Sequence, residues 1–169
     1  MTVTELLKKL FGSTEPSQEY IEAITRLADA KVNQRFLNDS ASHAKLLSDL
    51  MIGRAEKETI IYSKCLKEAY FKDALAKAKG KVRILVDNAD AAEWVRALGV
   101  HITVRSTSRP IGQHFFVVDG ESFRMELDRD PKIAVANFNE PTACSALRKR
   151  FDKSWGSAED IQQGHLEYA

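Results

Sequence analysis

Ala74-Leu75-Ala76-Lys77-Ala78-Lys79-Gly80-Lys81-Val82-Arg83-Ile84-Leu85-Val86-Asp87 is the stretch on which the fold turns. Its first half reads as the end of a helix, Gly80 as the break, and Val82, Ile84 and Val86 as the alternate residues of a strand. Working outward, Thr59 to Ser63 reads as a strand and Leu66 to Lys79 as the helix that follows it. Lys81 to Asp87 is the next strand, Ala89 to Leu98 the next helix, and Val100 to Ser106 the strand after that. Each strand–helix–strand step lays a parallel strand beside the last, so the class is α/β. Beyond Ser106 the pattern changes. Gln113 to Asp119 and Ser122 to Leu127 flank Gly120-Glu121 as a hairpin, and Ile133 to Phe138 supplies a third strand. Glu140-Pro141 opens a final helix whose Ala143, Leu147, Phe151 and Trp155 recur at steps of four.

Upstream, three helices precede the first strand. Val3, Leu6, Leu7, Leu10 and Phe11 repeat at helical spacing and are closed off by Gly12, Ser13 and Pro16, so this element reads as a separate docking helix. The second, from about Ser17 to Gln34, carries Ile21, Ile24, Leu27, Ala28 and Val32 on one stripe. Asn38-Asp39-Ser40 offers capping oxygens to the third, in which Ala44, Leu47, Leu50, Met51 and Ala55 recur at three- and four-residue steps. The expected organisation is a helical segment over 1–37, an α/β unit over 38–155 and a polar tail over 156–169.

At 169 residues, with 44% hydrophobic and 29% charged residues, the chain is long enough to bury a core and one main unit suffices. Twenty-five Lys and Arg nearly cancel twenty-four Asp and Glu, which removes the global positive field of a protein that coats nucleic acid. The longest apolar runs are far too short to span a bilayer, and Lys8-Lys9 interrupts the apolar segment a secretory leader needs, so a cytoplasmic protein is expected. Cys65 and Cys144 lack metal-type spacing and read as buried thiols. No metal and no cofactor are expected.

The Ala74 to Asp87 run resembles the helix and strand that precede the active strand in phospholipase D-like proteins. Phe115-Phe116-Val117-Val118-Asp119-Gly120 is similar to that family's apolar strand ending in aspartate-glycine, and Leu147 to Trp155 to its closing helix. The resemblance spans roughly 38–155 and implies a mixed sheet flanked by helices, preceded here by the N-terminal helices. The family's signature is a histidine, one residue, a lysine, four residues and an aspartate, with a glycine-serine pair after it. With Asp119 as the aspartate, Gly112 stands at the histidine position, His114 at the lysine position and Glu126-Leu127 at the glycine-serine pair. With His114 as the histidine, Phe116 and Glu121 fall at the lysine and aspartate positions. Either register lacks the lysine.

In the resembled mechanism one histidine attacks phosphorus, a second protonates the leaving group, and lysines hold the phosphate oxygens, all without metal. A chain with a single copy of the motif implies a homodimer that pairs two sites. Without the lysine, the resemblance implies a degenerate module that binds nucleic acid, a nucleotide or a protein partner. An accessory role in a bacterial defence or mobile-element system is one such setting, with the N-terminal helix docking on the larger assembly. The alternative is an active, metal-independent phosphodiesterase or nuclease in which His114 is the nucleophile.

The candidate residues follow from strand alternation. His114 is the candidate catalytic group, and Arg124, Glu126 and Asn137 are the candidate substrate-binding groups, a polar set if all face one cleft, with Arg124 replacing the lost lysine as a phosphate clamp. The bland alternative is a solvated ion pair on a half-exposed sheet. Asp119 is expected to point the other way. Arg148, Lys149, Arg150 and Lys153 form a basic run that, with Arg105 and Arg109, could border a nucleic-acid groove or simply be a solvated helix face. His43, His101 and His165 sit in unrelated contexts.

Overall fold

The computed structural model describes residues 15–38, 40–64, 66–99, 101–127 and 133–160. In chain order these form α1 (Gln18–Asp29), β1 (Phe36–Asn38), α2 (Ala41–Met51), β2 (Glu58–Ser63), α3 (Glu68–Lys77) and β3 (Lys81–Val86). A 3₁₀ segment (Ala89–Leu98), β4 (Ile102–Ser106), β5 (Phe115–Val118), β6 (Ser122–Glu126), β7 (Ala134–Asn137), α4 (Pro141–Trp155) and β8 (Glu159–Asp160) complete them. The expected helix through Val3 to Phe11, Cys65, and the tail with His165 lie outside the described residues.

The strands make one eight-stranded sheet in the order β1-β7-β6-β5-β2-β3-β4-β8. β2, β3 and β4 run parallel, and the remaining neighbours pair antiparallel. Both faces of this sheet are covered, which is why β2 reads as an almost unbroken apolar run. Ile61, Val82, Ile84, Phe116 and Val118 point to one side and pack on Ile24 of α1, Leu47 and Met51 of α2 and Leu75 of α3. Ile60, Leu85, Phe115, Val117 and Phe123 point to the other and pack on Cys144, Leu147 and Phe151 of α4. The result is three layers, helices on sheet on helix. Burial pushes the Cys144 thiol up to about 12, so it behaves as a small apolar core residue.

Local chemistry sets the joints. The Ser17 and Ser40 hydroxyls cap α1 and α2 by accepting from Tyr20 N and His43 N, each at 3.2 Å, and Pro141 occupies the first turn of α4. Between α3 and β3 the backbone of Gly80, at φ +75°, slides under residues 56–57. A Cβ there would stand 2.1 Å from the Lys57 carbonyl oxygen, so only glycine fits. Lys79 N and Lys81 N donate to Ala55 O (2.9 Å) and Lys57 O (3.0 Å) on either side of it. From the opposite direction the Asp119 carboxylate, held in a left-handed turn at φ +54°, accepts from Glu56 N, Lys57 N and Glu58 N at 3.1, 2.8 and 2.9 Å. The segment that launches β2 is thereby fixed by the hairpin turn and by the α3–β3 joint.

Two expectations change. The helix expected to reach Gln34 ends at Asp29, and the chain re-enters the sheet as β1, antiparallel to β7, before the expected boundary at 37/38. The helix expected over 89–98 is present with those bounds and is of the 3₁₀ kind. Glu159 and Asp160, expected in the polar tail, pair with Ser106 and Arg105 as an eighth strand. Trp155 anchors that return, because the Arg105 guanidinium stacks 4.5 Å from its ring centroid and donates to its carbonyl at 3.0 Å.

Candidate functional site

A cleft of about 190 Å³ opens between α2, α3 and the sheet, where β2 ends and the chain leaves through Ser63 and Lys64. In an α/β sheet, the crevice outside the carboxyl ends of the strands is where ligands settle, because chain reversals leave it open.

The floor is polar. Arg124 and Glu126 are alternate residues of β6, so the pleat sends both to the same side, and their cross-strand neighbours Phe116, Ala136 and Ala134 place that side under α1–α3. His114 immediately precedes β5, and its carbonyl accepts from Glu126 N at 2.9 Å, which fixes the two residues opposite one another. His114 Nδ1 then lies 3.7 Å from Glu126 Oε2, and an Arg124 terminal nitrogen lies 3.7 Å from Glu126 Oε1. Both separations exceed a direct hydrogen bond, and the Arg124–Glu126 approach is a close charge contact. The Arg124 side chain is only 10% exposed, that of Glu126 16% and that of His114 19%. Burial lowers the basicity of the Arg124 guanidinium, and Glu126 beside it opposes that shift; the group stays a cation.

Arg124 is aimed by a residue from the far edge of the sheet. Its Nε donates to Asn38 Oδ1 at 3.0 Å, and Asn38 Nδ2 in turn donates to the Ala134 carbonyl at 3.2 Å. Asn38 is 2% exposed, so this pair of bonds is sealed from water.

The walls and mouth have a different character. Tyr70, Phe71, Phe116 and Ala44 make the apolar sides, with Phe71 meeting Phe116 edge-on at 6.3 Å. Lys64 and Lys67, both exposed, stand at the mouth, and the Lys67 ammonium lies 5.3 Å from the Tyr70 ring centroid. Among the described residues lining the cleft, three cations (Lys64, Lys67 and Arg124) therefore face one carboxylate, Glu126.

The geometry gathers His114, Arg124 and Glu126 and leaves Asn137 out. Asn137 pairs with Phe123, one residue away from Arg124 along β6, and that single step reverses the side of the sheet it faces. Its amide instead donates to Asn33 Oδ1 (2.9 Å) and Glu140 Oε2 (2.8 Å), and its Oδ1 accepts from Asn139 N at 2.9 Å, a junction that starts α4. The basic run of α4 is likewise on the other side. Arg148 pairs with Glu58, which also binds Arg83 at 2.9 Å. Arg150 bonds Gln113 and lies 5.5 Å from the Tyr62 ring centroid. Together with Arg105 on Trp155, these arginines close the α4 layer onto the sheet; Lys149, Lys153 and Arg109 are exposed.

Sequence reasoning missed Lys64, Lys67 and Tyr70, although Lys64 directly follows the predicted strand Thr59–Ser63 and so sits where such crevices form. Of Asn38-Asp39-Ser40, read together as the source of capping oxygens, Ser40 provides the cap and Asn38 instead binds Arg124. Among the described residues no group of three or more His, Cys, Asp or Glu could hold a metal ion, and no helix is long and apolar enough to cross a membrane.

No family model matches the sequence, and no curated protein does. Solved structures do match. TrmBL2, an archaeal chromatin protein whose structure shows a novel mode of DNA binding, superposes with a TM-score of 0.60 at 14% identity over 93% of this chain. The present chain spans only 61% of that protein's length. Nuc from Salmonella typhimurium, a phospholipase D family member, gives 0.60 at 17% identity, covering 75% of this chain and 98% of Nuc. NucT from Helicobacter pylori gives 0.63 at 9% identity, covering 76% of this chain and 99% of NucT.

Proposed function

Because the chain has a phospholipase D-like α/β fold, we propose that it is a binding module for the phosphate ester of a nucleotide, free or within a nucleic-acid strand, and that it does not cleave its ligand. The observation that carries this reading is the cation pattern of the cleft: a buried, aimed Arg124 at the floor and Lys64 and Lys67 at the mouth. Cations that face one concavity attract and orient an anionic ligand, and burial strengthens the field of Arg124 at the floor. The DNA binding described for TrmBL2 favours a ligand of nucleic-acid type.

The same floor argues against turnover. The resembled mechanism uses lysine to hold phosphate oxygens, and here His114 occupies that position in the register set by Asp119. The Glu126 carboxylate, 3.7 Å from His114 Nδ1, adds negative charge to the floor and would repel a phosphate seated between Arg124 and the Nδ1 side of the histidine. Loss of one preorganised clamp of this kind costs about a hundredfold to a thousandfold in rate. His114 as nucleophile with Arg124 as clamp is thus the second reading.

A homodimer belongs to the proposal, since one copy of the fold carries one such floor; sedimentation at micromolar concentration tests it. The apolar spacing of Val3, Leu6, Leu7, Leu10 and Phe11 supports a regulatory or accessory role docked on a larger assembly. For the ligand, calorimetric titration with mononucleotides, and fluorescence anisotropy with a labelled single-stranded oligonucleotide, separate the two sources of phosphate ester. Saturable binding of either, weakened about tenfold by Lys64→Ala with Lys67→Ala, is expected. Binding that ignores both lysines would refute the assignment.

A further inference from the structure

The charges in the cleft are graded by depth, and the grading orients the ligand. At the floor the only carboxylate among the described lining residues, Glu126, lies 3.7 Å from both Arg124 and His114. The Arg124 cation already has Asn38 on one side and Glu126 on another. A phosphate driven down to this floor would meet one shared cation and one repelling carboxylate. At the mouth, Lys64 and Lys67 stand exposed with no carboxylate beside them among the described lining residues. Between mouth and floor the walls are aromatic, with Tyr70, Phe71 and Phe116.

From this gradient we infer that the cleft takes its ligand ring first, a neutral heterocycle on the Arg124–Glu126 pair and the phosphate outward on Lys64 and Lys67. This rests on the proposed nucleotide reading and reverses the orientation in which a phosphodiesterase would bring phosphorus to His114. The chemistry at each level agrees. A carboxylate beside a guanidinium presents an acceptor next to a donor, the complement of a ring edge that carries an N–H beside a carbonyl or ring nitrogen. Aromatic and apolar walls favour a flat ring, because stacking tolerates any base. Exposed lysines suit a solvated phosphate, for which a flexible point charge is enough. The volume of about 190 Å³ accommodates a base and part of its sugar and leaves the phosphate at the rim.

The experiment is a calorimetric series on the full chain with a nucleoside monophosphate, the matching nucleoside and inorganic phosphate, repeated with Glu126→Gln and with Lys64→Ala. The monophosphate should bind best, the nucleoside about tenfold more weakly, and inorganic phosphate more weakly than either. Lys64→Ala should weaken the monophosphate and leave the nucleoside unchanged. Glu126→Gln should weaken both by about tenfold or more, as loss of a hydrogen bond to a charged group does, with unchanged thermal unfolding as the control for folding. Inorganic phosphate binding as tightly as the monophosphate, or tighter phosphate binding in Glu126→Gln, would overturn the orientation while leaving the nucleotide reading intact. No binding by any nucleotide or oligonucleotide would overturn both.

Discussion

Asn38 holds Arg124: the amide oxygen of a residue on the outermost strand accepts from the guanidinium Nε at 3.0 Å across 86 residues of sequence. The bond ties the edge of the sheet to the floor of the cleft. Asn38→Ala removes an acceptor from a buried cation and a donor from the Ala134 carbonyl, each a loss of order 1–3 kcal/mol. We expect the variant to be less stable by about 2 kcal/mol in chemical denaturation and to bind nucleotide more weakly than the parent. A variant with parental stability and affinity would show that Arg124 aims itself.

Asp119 is a structural residue here. Its three backbone acceptor contacts to residues 56–58 fix the start of β2, and charge-assisted bonds of this kind are worth more than neutral ones. Asp119→Ala should lower stability by about 2–4 kcal/mol. Asp119→Asn, which tolerates the left-handed turn and keeps one acceptor oxygen, should cost less. Equal losses in the two variants, measured by urea unfolding, would mean that the acceptor oxygens are not what counts.

The joint on the other side of the same segment is steric. Gly80→Ala would set a Cβ against the Lys57 carbonyl, with φ in the left-handed region, so the backbone of one partner must move. We expect a fall in thermal midpoint of well over about 5 °C, or failure to fold. A midpoint within a degree or two of the parent would exclude the close approach.

How much of this was legible in the chain differs from residue to residue. The run from Ala74 to Asp87 announced the α3–β3 joint because the period changes at a glycine. The β5–β6 hairpin announced itself because an unbroken apolar run, Phe115 to Val118, and an alternating one, Ser122 to Glu126, flank Gly120. β1 and β8 announced nothing: three and two residues are too few to display alternation, and each is a strand only because β7 or β4 offers it a ladder. Arg124 and Glu126 could be placed on one face by their spacing alone. Asn137 could not be placed, because its side depends on register with Phe123, which no local pattern encodes. Asn38 was out of reach for the same reason, since its partner Arg124 lies 86 residues away in sequence.

Acid should loosen the α4 layer. Burial would raise the Glu58 carboxyl, but Arg148 and Arg83 outweigh that and hold it below the usual carboxylate range. Glu140 is likewise lowered, chiefly by its hydrogen bond with Arg35, with burial opposing and Asn137 adding a smaller lowering. A group lowered in the folded state binds fewer protons there than in the unfolded chain. Its stabilisation is therefore complete above the unfolded value, about 4.3 for glutamate, and is lost as pH falls through the folded value. Thermal unfolding from pH 7 to pH 2.5 should show stability falling below about pH 4. Glu58→Gln should be less stable than the parent at pH 7 and should flatten that fall. Parallel curves for the two proteins would remove Glu58 as a cause.

The most direct test of a cleft that binds without cleaving is binding and turnover measured on one preparation. A mononucleotide is titrated by calorimetry, then a phosphodiester substrate and single-stranded nucleic acid are incubated with the same protein, alongside Arg124→Met and His114→Ala variants checked for parental unfolding. The account predicts saturable nucleotide binding by the parent, a loss of about tenfold or more in Arg124→Met, and hydrolysis at background in all three proteins. Robust cleavage by the parent, abolished in a stably folded His114→Ala, would contradict it.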